Sequence, residues 1–210
     1  MSSTRRSRKS QGSLGAVVML AALSLGGAQR ADAAPDKSVV ARSLPSERGA
    51  RAEVEAVIEA PAEQVATLVA EPANFVPLFP AERIEVLKSS PERQVVSVEM
   101  RKPWPVGTVR WVEEVTAYRD NDGKTYVVER NAQGGGYFRQ MRAVWRIVPH
   151  PDSEHRCVVT YQVLTDLSRW VPEWALKKGN LSGIVDTMGR LRKLVAERQP
   201  TEAAAVSAHQ

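Results

Sequence analysis

The order of apolar patterns between residues 51 and 198 is the feature that most constrains the fold. An alternating strand pattern comes first, and a short helix that begins at a proline follows it. A run of strands joined by short turns comes next, and one long amphipathic helix ends the segment. A sheet that curls around one helix encloses a space between the two layers, so the pattern predicts an α+β domain with an apolar interior.

The first two elements are read from alternation and proline positions. Residues 53–60 alternate apolar with charged side chains, which predicts a half-buried strand. Pro61 then begins a helix, at a position where a backbone N–H would have no partner within the helix. Three prolines interrupt residues 72–80, so we expect a short second helix or a bent segment that carries Phe75 and Phe79.

Six further strands are predicted before the last helix. Turn residues connect them, including Asp-Asn-Asp-Gly at 120–123 and three glycines at 134–136. Connections this short favour antiparallel neighbours, because a parallel pair needs a crossover of about a dozen residues. The predicted meander contains strands at 83–88, 94–101, 108–118, 125–130, 137–148 and 156–164.

Side-chain alternation predicts which face of each strand points inward. One face of the fifth strand of this run carries Tyr137, Arg139, Met141, Ala143, Trp145 and Ile147, and it is the more apolar one. The same reasoning turns Met100, Trp111 and Tyr161 inward from the neighbouring strands. In the long helix, which begins near Pro172, the predicted buried stripe consists of Leu181, Ile184, Val185, Met188, Leu191 and Val195.

Residues 1–33 have the pattern of an export signal. Basic residues at positions 5–9 precede an uncharged, largely apolar stretch at 14–28, and Ala31-Asp32-Ala33 supplies the small residues that a signal peptidase requires. Such a stretch is shorter than the roughly 20 apolar residues that span a bilayer. We therefore predict cleavage after Ala33 and a periplasmic or secreted protein, although an uncleaved anchor is the alternative.

Export changes the meaning of the charge and cysteine content. The chain carries a net charge of +5, but five basic residues and Asp32 give residues 1–33 a charge of +4, so the remainder carries only +1. We expect no nucleic-acid partner, since phosphate binding needs clustered Lys and Arg. Cys157 is the single cysteine, so no internal disulfide can form.

Residues 34–50 are predicted to be a flexible linker, residues 51–198 the folded domain, and residues 199–210 a disordered tail.

Two segments carry a resemblance to a known family. Ala60-Pro-Ala-Glu63, followed by Phe75 and Pro80, resembles the opening of the START-like superfamily, also called SRPBCC, which includes polyketide cyclases and coenzyme-Q-binding START proteins. Val171-Pro-Glu-Trp174 before a long helix is similar to the end of START lipid-transfer domains. The chain departs from the family pattern at Ala66 and Leu78, where many members carry an aromatic residue and a tryptophan.

The resemblance implies a helix-grip fold, in which a curved antiparallel sheet wraps a long C-terminal helix around a hydrophobic cavity. It also implies binding of a lipid, sterol or quinone, and transfer of lipid between membranes as the use. We expect a monomer that makes transient contact with a membrane, with no cofactor and no metal. The residues expected to contact the ligand are Phe75, Phe79, Met100, Trp111, Arg139, Met141, Trp145, Tyr161, Trp170, Trp174, Ile184 and Met188.

The candidate catalytic residues are two adjacent glutamates, an arginine and two histidines. Glu113 and Glu114 are adjacent on a strand, so their carboxylates leave opposite faces and do not form an acid–base pair. Glu113 and Arg139 both have inward parity and could pair inside the cavity, or a strand end or bulge could turn them to water. We expect His150 and His155 to be exposed. A polyketide cyclase or aromatase, which would need Glu113 and Arg139 in the cavity, and a helix-grip module that binds a partner protein with its interior filled are the two alternatives.

The start of the long helix is unusual in its tryptophans and glycines. Trp170 and Trp174 flank Pro172, and they either form the rim of a ligand entrance, together with Trp104, or pack as ordinary aromatic residues. Gly179, Gly183 and Gly189 each weaken a helix by about 1 kcal/mol relative to alanine. They would be explained by close approach of ligand or sheet to the helix backbone, or by a kink that lets the helix start move as a gate.

Overall fold

The computed structural model describes residues 39–102, 107–135, 137–168 and 171–198. In these residues eight strands form one antiparallel sheet in the order β1-β2-β8-β7-β6-β5-β4-β3. The strands are β1 Val39–Leu44, β2 Ala50–Ile58, β3 Arg83–Ser89, β4 Arg93–Lys102, β5 Gly107–Arg119, β6 Tyr126–Gly135, β7 Phe138–His150 and β8 Ser153–Leu167. The helices are α1 Ala62–Ala70, α2 Phe75–Leu78, with a 3-10 turn at Pro72–Asn74 before it, and α3 Glu173–Arg198. Of the described helices, none is both long enough and apolar enough to cross a membrane.

The meander and the long closing helix confirm the predicted fold class. The predicted signal peptide (1–33) and tail (199–210) lie outside the described residues. Within the predicted linker, however, Val39–Leu44 forms strand β1, which pairs antiparallel with β2 from Val39 opposite Ala56 to Leu44 opposite Arg51. That part of the linker prediction is wrong, because the free edge of β2 supplies backbone partners that a segment of six residues does not reveal by itself.

Helix α3 runs alongside β2 in the same direction. The Asn180 side-chain amide donates to the Ala50 carbonyl at 2.8 Å, and the Arg192 guanidinium donates to the Val57 carbonyl at 3.1 Å. The start of α3 therefore lies at the end of the sheet where β2 begins, which we call the mouth end. The opposite end, which contains Ile58, Ile147 and the β7–β8 turn, we call the base end.

Both longer helices cover the concave face of the sheet. The α1 face that carries Val65, Leu68 and Val69 is buried, as predicted. Helix α3 buries Ala175, Ile184, Thr187, Met188, Leu191, Leu194 and Val195. Val185, which was predicted to belong to this stripe, is 41% exposed, because one residue past Ile184 rotates its side chain about 100° away from the sheet.

A β-bulge in β7 changes the orientation of one predicted inward residue. Phe138 lies opposite Leu167 and Gln140 lies opposite Asp166, so Arg139 is an extra residue in its strand. Phe138 therefore takes the inward position and packs on the core, whereas Arg139 is exposed. The inward orientation predicted for Arg139 is wrong because simple alternation does not hold across a bulge.

Candidate functional site

The strand register arranges the inward side chains in rows across the concave face. The first row, nearest the mouth end, contains Ala132, Met141 and Thr165. The second row contains Arg130, Ala143, Val163 and Ala52. The third row contains Val128, Trp145, Tyr161 and Val54. Apart from Arg130 and Met141, the first two rows are built from small or β-branched side chains, and the aromatic pair of the third row stands beyond them.

The aromatic pair of the third row is fully enclosed. Trp145 and Tyr161 stack with their ring centroids 3.8 Å apart and their planes at 16°. Burial raises the pKa of the Tyr161 hydroxyl above its ordinary value, so Tyr161 stays neutral at physiological pH. Trp145 is 0% exposed, and its indole Nε1 has no hydrogen-bond partner among the described residues.

An ion pair inside the domain joins Arg130 of the second row to Glu113 of the neighbouring strand β5. The Arg130 Nε donates to Glu113 Oε1 at 2.7 Å, and Arg130 Nη2 donates to the same oxygen. The Trp111 Nε1 donates to the other oxygen, Oε2, at 2.9 Å. The side chains of Arg130 and Glu113 are 5% and 0% exposed, so the pair lies in a low-dielectric interior. This part of the mostly apolar interior therefore contains a fixed, charge-compensated ion pair.

Two aromatic rings cover the guanidinium of Arg130. Its Cζ lies 4.3 Å from the ring centroid of Phe75 and 3.9 Å from that of Phe79. The two rings meet edge to face with centroids 5.8 Å apart. Because α2 and the residue after it supply these rings, the proline-broken segment places the aromatic cover over the ion pair.

The mouth end carries charged and aromatic side chains. A cavity of about 380 Å³ lies there, lined by residues of the β1–β2 turn, the end of β8 and the first turn of α3. Arg139 lines this cavity, and its Nη1 lies 3.3 Å from Asp166 Oδ2. Nearby, the rings of Trp111 and Phe138 pack edge to face with their centroids 5.1 Å apart. A second cavity, of about 610 Å³, lies on the opposite, convex face among Arg48, Arg51, Arg142 and Arg146 and does not reach these rows.

The structure brings most of the predicted ligand contacts together. Those on or over the concave face are Phe75, Phe79, Trp111, Met141, Trp145, Tyr161, Ile184 and Met188, with Met100 half-buried against the same core. Arg139 is exposed at the mouth end, and Trp174 is 68% exposed. Trp170 and Trp104 lie outside the described residues. Binding by any of these residues stays a prediction.

Arg130 is the interior residue that the sequence reasoning missed. It lies in the predicted strand 125–130, for which no inward face is predicted from the sequence. It shares parity with Val128 and Ala132, so alternation along β6 is the signal that identifies it as inward. Glu113 is inward, as its parity indicated, but its partner is Arg130, so the suggested pairing with Arg139 is wrong.

The glycines of α3 do not mark close approach of the sheet. A Cβ added at Gly179, Gly183 or Gly189 would meet no described atom within 4 Å, apart from neighbouring residues and the helix's own backbone. Close approach of the sheet therefore does not explain these glycines, whereas close approach of a ligand and a movable helix start stay predictions.

Comparison with known proteins assigns the family. The model of the family described as polyketide cyclase / dehydrase and lipid transport matches residues 49–196. The chain therefore belongs to this family. A comparison with curated protein sequences found no significant match.

Solved structures of START-like proteins share the fold. A STAR-related lipid transfer protein from Xanthomonas axonopodis superposes with a TM-score of 0.66 at 20% identity, covering 78% of this chain and 97% of that one. Human StAR-related lipid transfer protein 5 superposes with a TM-score of 0.64 at 15% identity, covering 77% of this chain and 84% of that one. The Zhui aromatase/cyclase from Streptomyces sp. R1128 superposes with a TM-score of 0.54 at 16% identity, covering 78% of this chain and 98% of that one. The helix-grip fold inferred from the sequence is confirmed.

Proposed function

We propose that this protein binds a hydrophobic ligand between the concave face of the sheet and α3, at the mouth end, and carries it between membranes. A lipid, sterol or quinone is the proposed class. Most side chains of the first two rows are small, and Trp145 and Tyr161 form the proposed inner wall. Ligand pockets of this kind occupy about 300 to 1,000 Å³ and are mostly apolar.

The buried Glu113–Arg130 pair is the observation that carries the proposal. A buried ion pair is a weak source of stability, because apolar side chains of the same volume often do as well or better. Here the pair is fixed by Trp111 and covered by Phe75 and Phe79. Because stability does not explain the buried pair, we propose that it orients the polar end of an otherwise apolar ligand.

Ligand entry requires movement, because the side chains of the rows are buried or half-buried. The first half of α3 is the element best suited to move. Between Glu173 and Gly183 it buries Ala175, whereas its second half buries six residues. With Gly179 and Gly183 weakening this half, we propose that it is displaced when ligand enters.

Membrane contact and export are also part of the proposal. Trp174 is exposed beside Lys177 and Lys178 at the start of α3, and a tryptophan flanked by lysines suits the boundary between lipid headgroups and acyl chains. We propose that this turn touches the membrane when ligand is exchanged. The signal pattern of residues 1–33 supports the proposal of a periplasmic or secreted protein. We further propose that the protein acts as a monomer.

The test is native mass spectrometry, with lipid extraction, on protein purified from its own host. A defined hydrophobic ligand that copurifies at up to one molecule per chain is expected. Titration with fluorescent fatty acid, sterol and quinone analogues then measures binding through tryptophan emission. Saturable binding to none of them, together with no copurified ligand, would remove the carrier function and favour the protein-interaction module. Chemical conversion of a bound compound would favour the cyclase.

A further inference from the structure

The indole N–H of Trp145 is a donor that the interior of the domain leaves without an acceptor. The side chain is 0% exposed, and Nε1 has no hydrogen-bond partner among the described residues. Buried polar groups in native proteins are almost always paired, and leaving one unpaired costs much of what a hydrogen bond returns. The indole of Trp111, in contrast, is paired, because its Nε1 donates to Glu113 Oε2 at 2.9 Å.

The position of this donor relates it to the proposed ligand site. Trp145 lies in the third row, on the floor of the concave face, beyond the small side chains of Ala132 and Ala143. Its ring stacks on Tyr161, which holds the indole plane in one orientation. Glu113 and Arg130 occupy the neighbouring strands at the level of the first two rows. A ligand that enters from the mouth end therefore meets the ion pair first and the Trp145 donor last.

We propose that Trp145 is a specificity-determining residue whose Nε1–H donates a hydrogen bond to an uncharged acceptor, such as a carbonyl oxygen, on the inner end of the ligand. This inference rests on the proposed carrier function. The ligand then carries polar atoms at two separated positions, one at the ion pair and one at Trp145. A simple fatty acid, whose inner end is a hydrocarbon tail, leaves the Trp145 donor unpaired and is a poorer fit.

The experiment replaces one atom of the side chain. Trp145 is exchanged in the full-length chain for β-(3-benzothienyl)alanine, which keeps the size and shape of indole but has sulfur in place of N–H; Trp145→Phe is the second variant. Affinities are measured for two matched probe pairs. These are 5α-androstane-3,17-dione with 5α-androstane, and 2-methyl-1,4-naphthoquinone with 2-methylnaphthalene, so that each carbonyl member has an acceptor at both ends.

For the carbonyl member of each pair that binds, the sulfur isostere is expected to weaken affinity roughly tenfold relative to the parent protein, with the hydrocarbon member unchanged. The unliganded isostere is expected to melt a few degrees higher than the parent, because an unpaired buried donor has been removed. Higher stability with weaker carbonyl binding is a combination that a purely structural tryptophan does not give.

The outcomes separate the two proposals. If hydrocarbon and carbonyl probes bind and the isostere affects both equally or neither, the role of Trp145 is overturned while the carrier function stands. An unchanged melting temperature together with unchanged carbonyl affinity would show that a buried water already pairs the donor, which also overturns the inference. If no probe of either kind binds the parent protein, the carrier function itself fails.

Discussion

The two ends of the helix grip are built differently. At the base end, the second half of α3 buries six side chains, and Ile58, Ile147 and Met188 are almost fully enclosed. At the mouth end, α3 carries two exposed glycines and an exposed tryptophan over rows of small side chains and one ion pair. The difference shows that α3 is packed more tightly at the base end than at the mouth end, as expected if the mouth end moves in the proposed ligand entry.

The base end can be tested by a charge on the buried stripe of α3. Met188→Asp places a carboxylate at a fully buried position, so we expect loss of more than about 4 kcal/mol of unfolding free energy or no folded protein. Val185→Asp is the matched control, because Val185 lies on the same helix and is 41% exposed. Urea unfolding of both variants measures the contrast. Equal stability of the two would show that the helix face is assigned wrongly.

Removal of one partner from the interior ion pair should have the next largest effect. Glu113→Ala leaves the Arg130 charge buried without compensation, so we expect a loss of about 3 to 5 kcal/mol in thermal or chemical unfolding. Glu114→Ala removes a carboxylate from the opposite face of the same strand, where Glu114 pairs with the exposed Arg93, and should cost less than about 1 kcal/mol.

A compensated double variant separates recognition from stability at this ion pair. Glu113→Leu combined with Arg130→Met should recover most of the stability that Glu113→Ala loses, since the buried charge is removed with its partner. It should still bind apolar ligands but lose discrimination between ligands with and without a polar end group. Unchanged discrimination in a folded double variant would assign the pair to structure alone.

The glycines of α3 allow the two halves of the helix to be compared within one element. Gly179→Ala with Gly183→Ala should stabilise the protein by up to about 1 kcal/mol per site, because each Cβ meets open space, and should slow ligand release. Gly189→Ala in the packed half should give similar stabilisation with unchanged release. Stopped-flow displacement of a fluorescent ligand measures the rates. Equal rates in all variants would argue against movement of the first half.

The smallest expected effect is a difference in the rate of cysteine labelling between the base end and the mouth end. Cys157 lies at the base end opposite Ile58, and burial raises the pKa of its thiol to about 12. It therefore stays a protonated thiol below that pH and should react slowly with a thiol reagent at pH 8. A cysteine placed at the mouth end, as Ala143→Cys in a Cys157→Ala background, should label faster. Faster labelling of Cys157 would mean that the base end opens first.

The sequence predicted the fold better than it predicted the site, for reasons visible in single residues. Strand alternation holds over long stretches, so Trp145 and Tyr161 were placed on the inner face correctly. It fails where the ladder is irregular, as at the bulge that turns Arg139 outward. Partners across strands are set by register, which depends on all the turns together, and this is why the Glu113–Arg130 pair could not be read from the sequence.

The central claim is tested most directly by the alanine methyl groups that line the concave face. Ala52, Ala132 and Ala143 lie in the first two rows at the mouth end, whereas Ala56 and Ala60 lie toward the base end. Methyl NMR spectra of protein labelled at alanine are recorded while the ligand that copurifies with it, or a sterol or quinone probe, is added. We predict large shifts for the mouth-end methyls and small ones for Ala56 and Ala60. Saturable binding that leaves Ala52, Ala132 and Ala143 unshifted would contradict a ligand site between the sheet and α3.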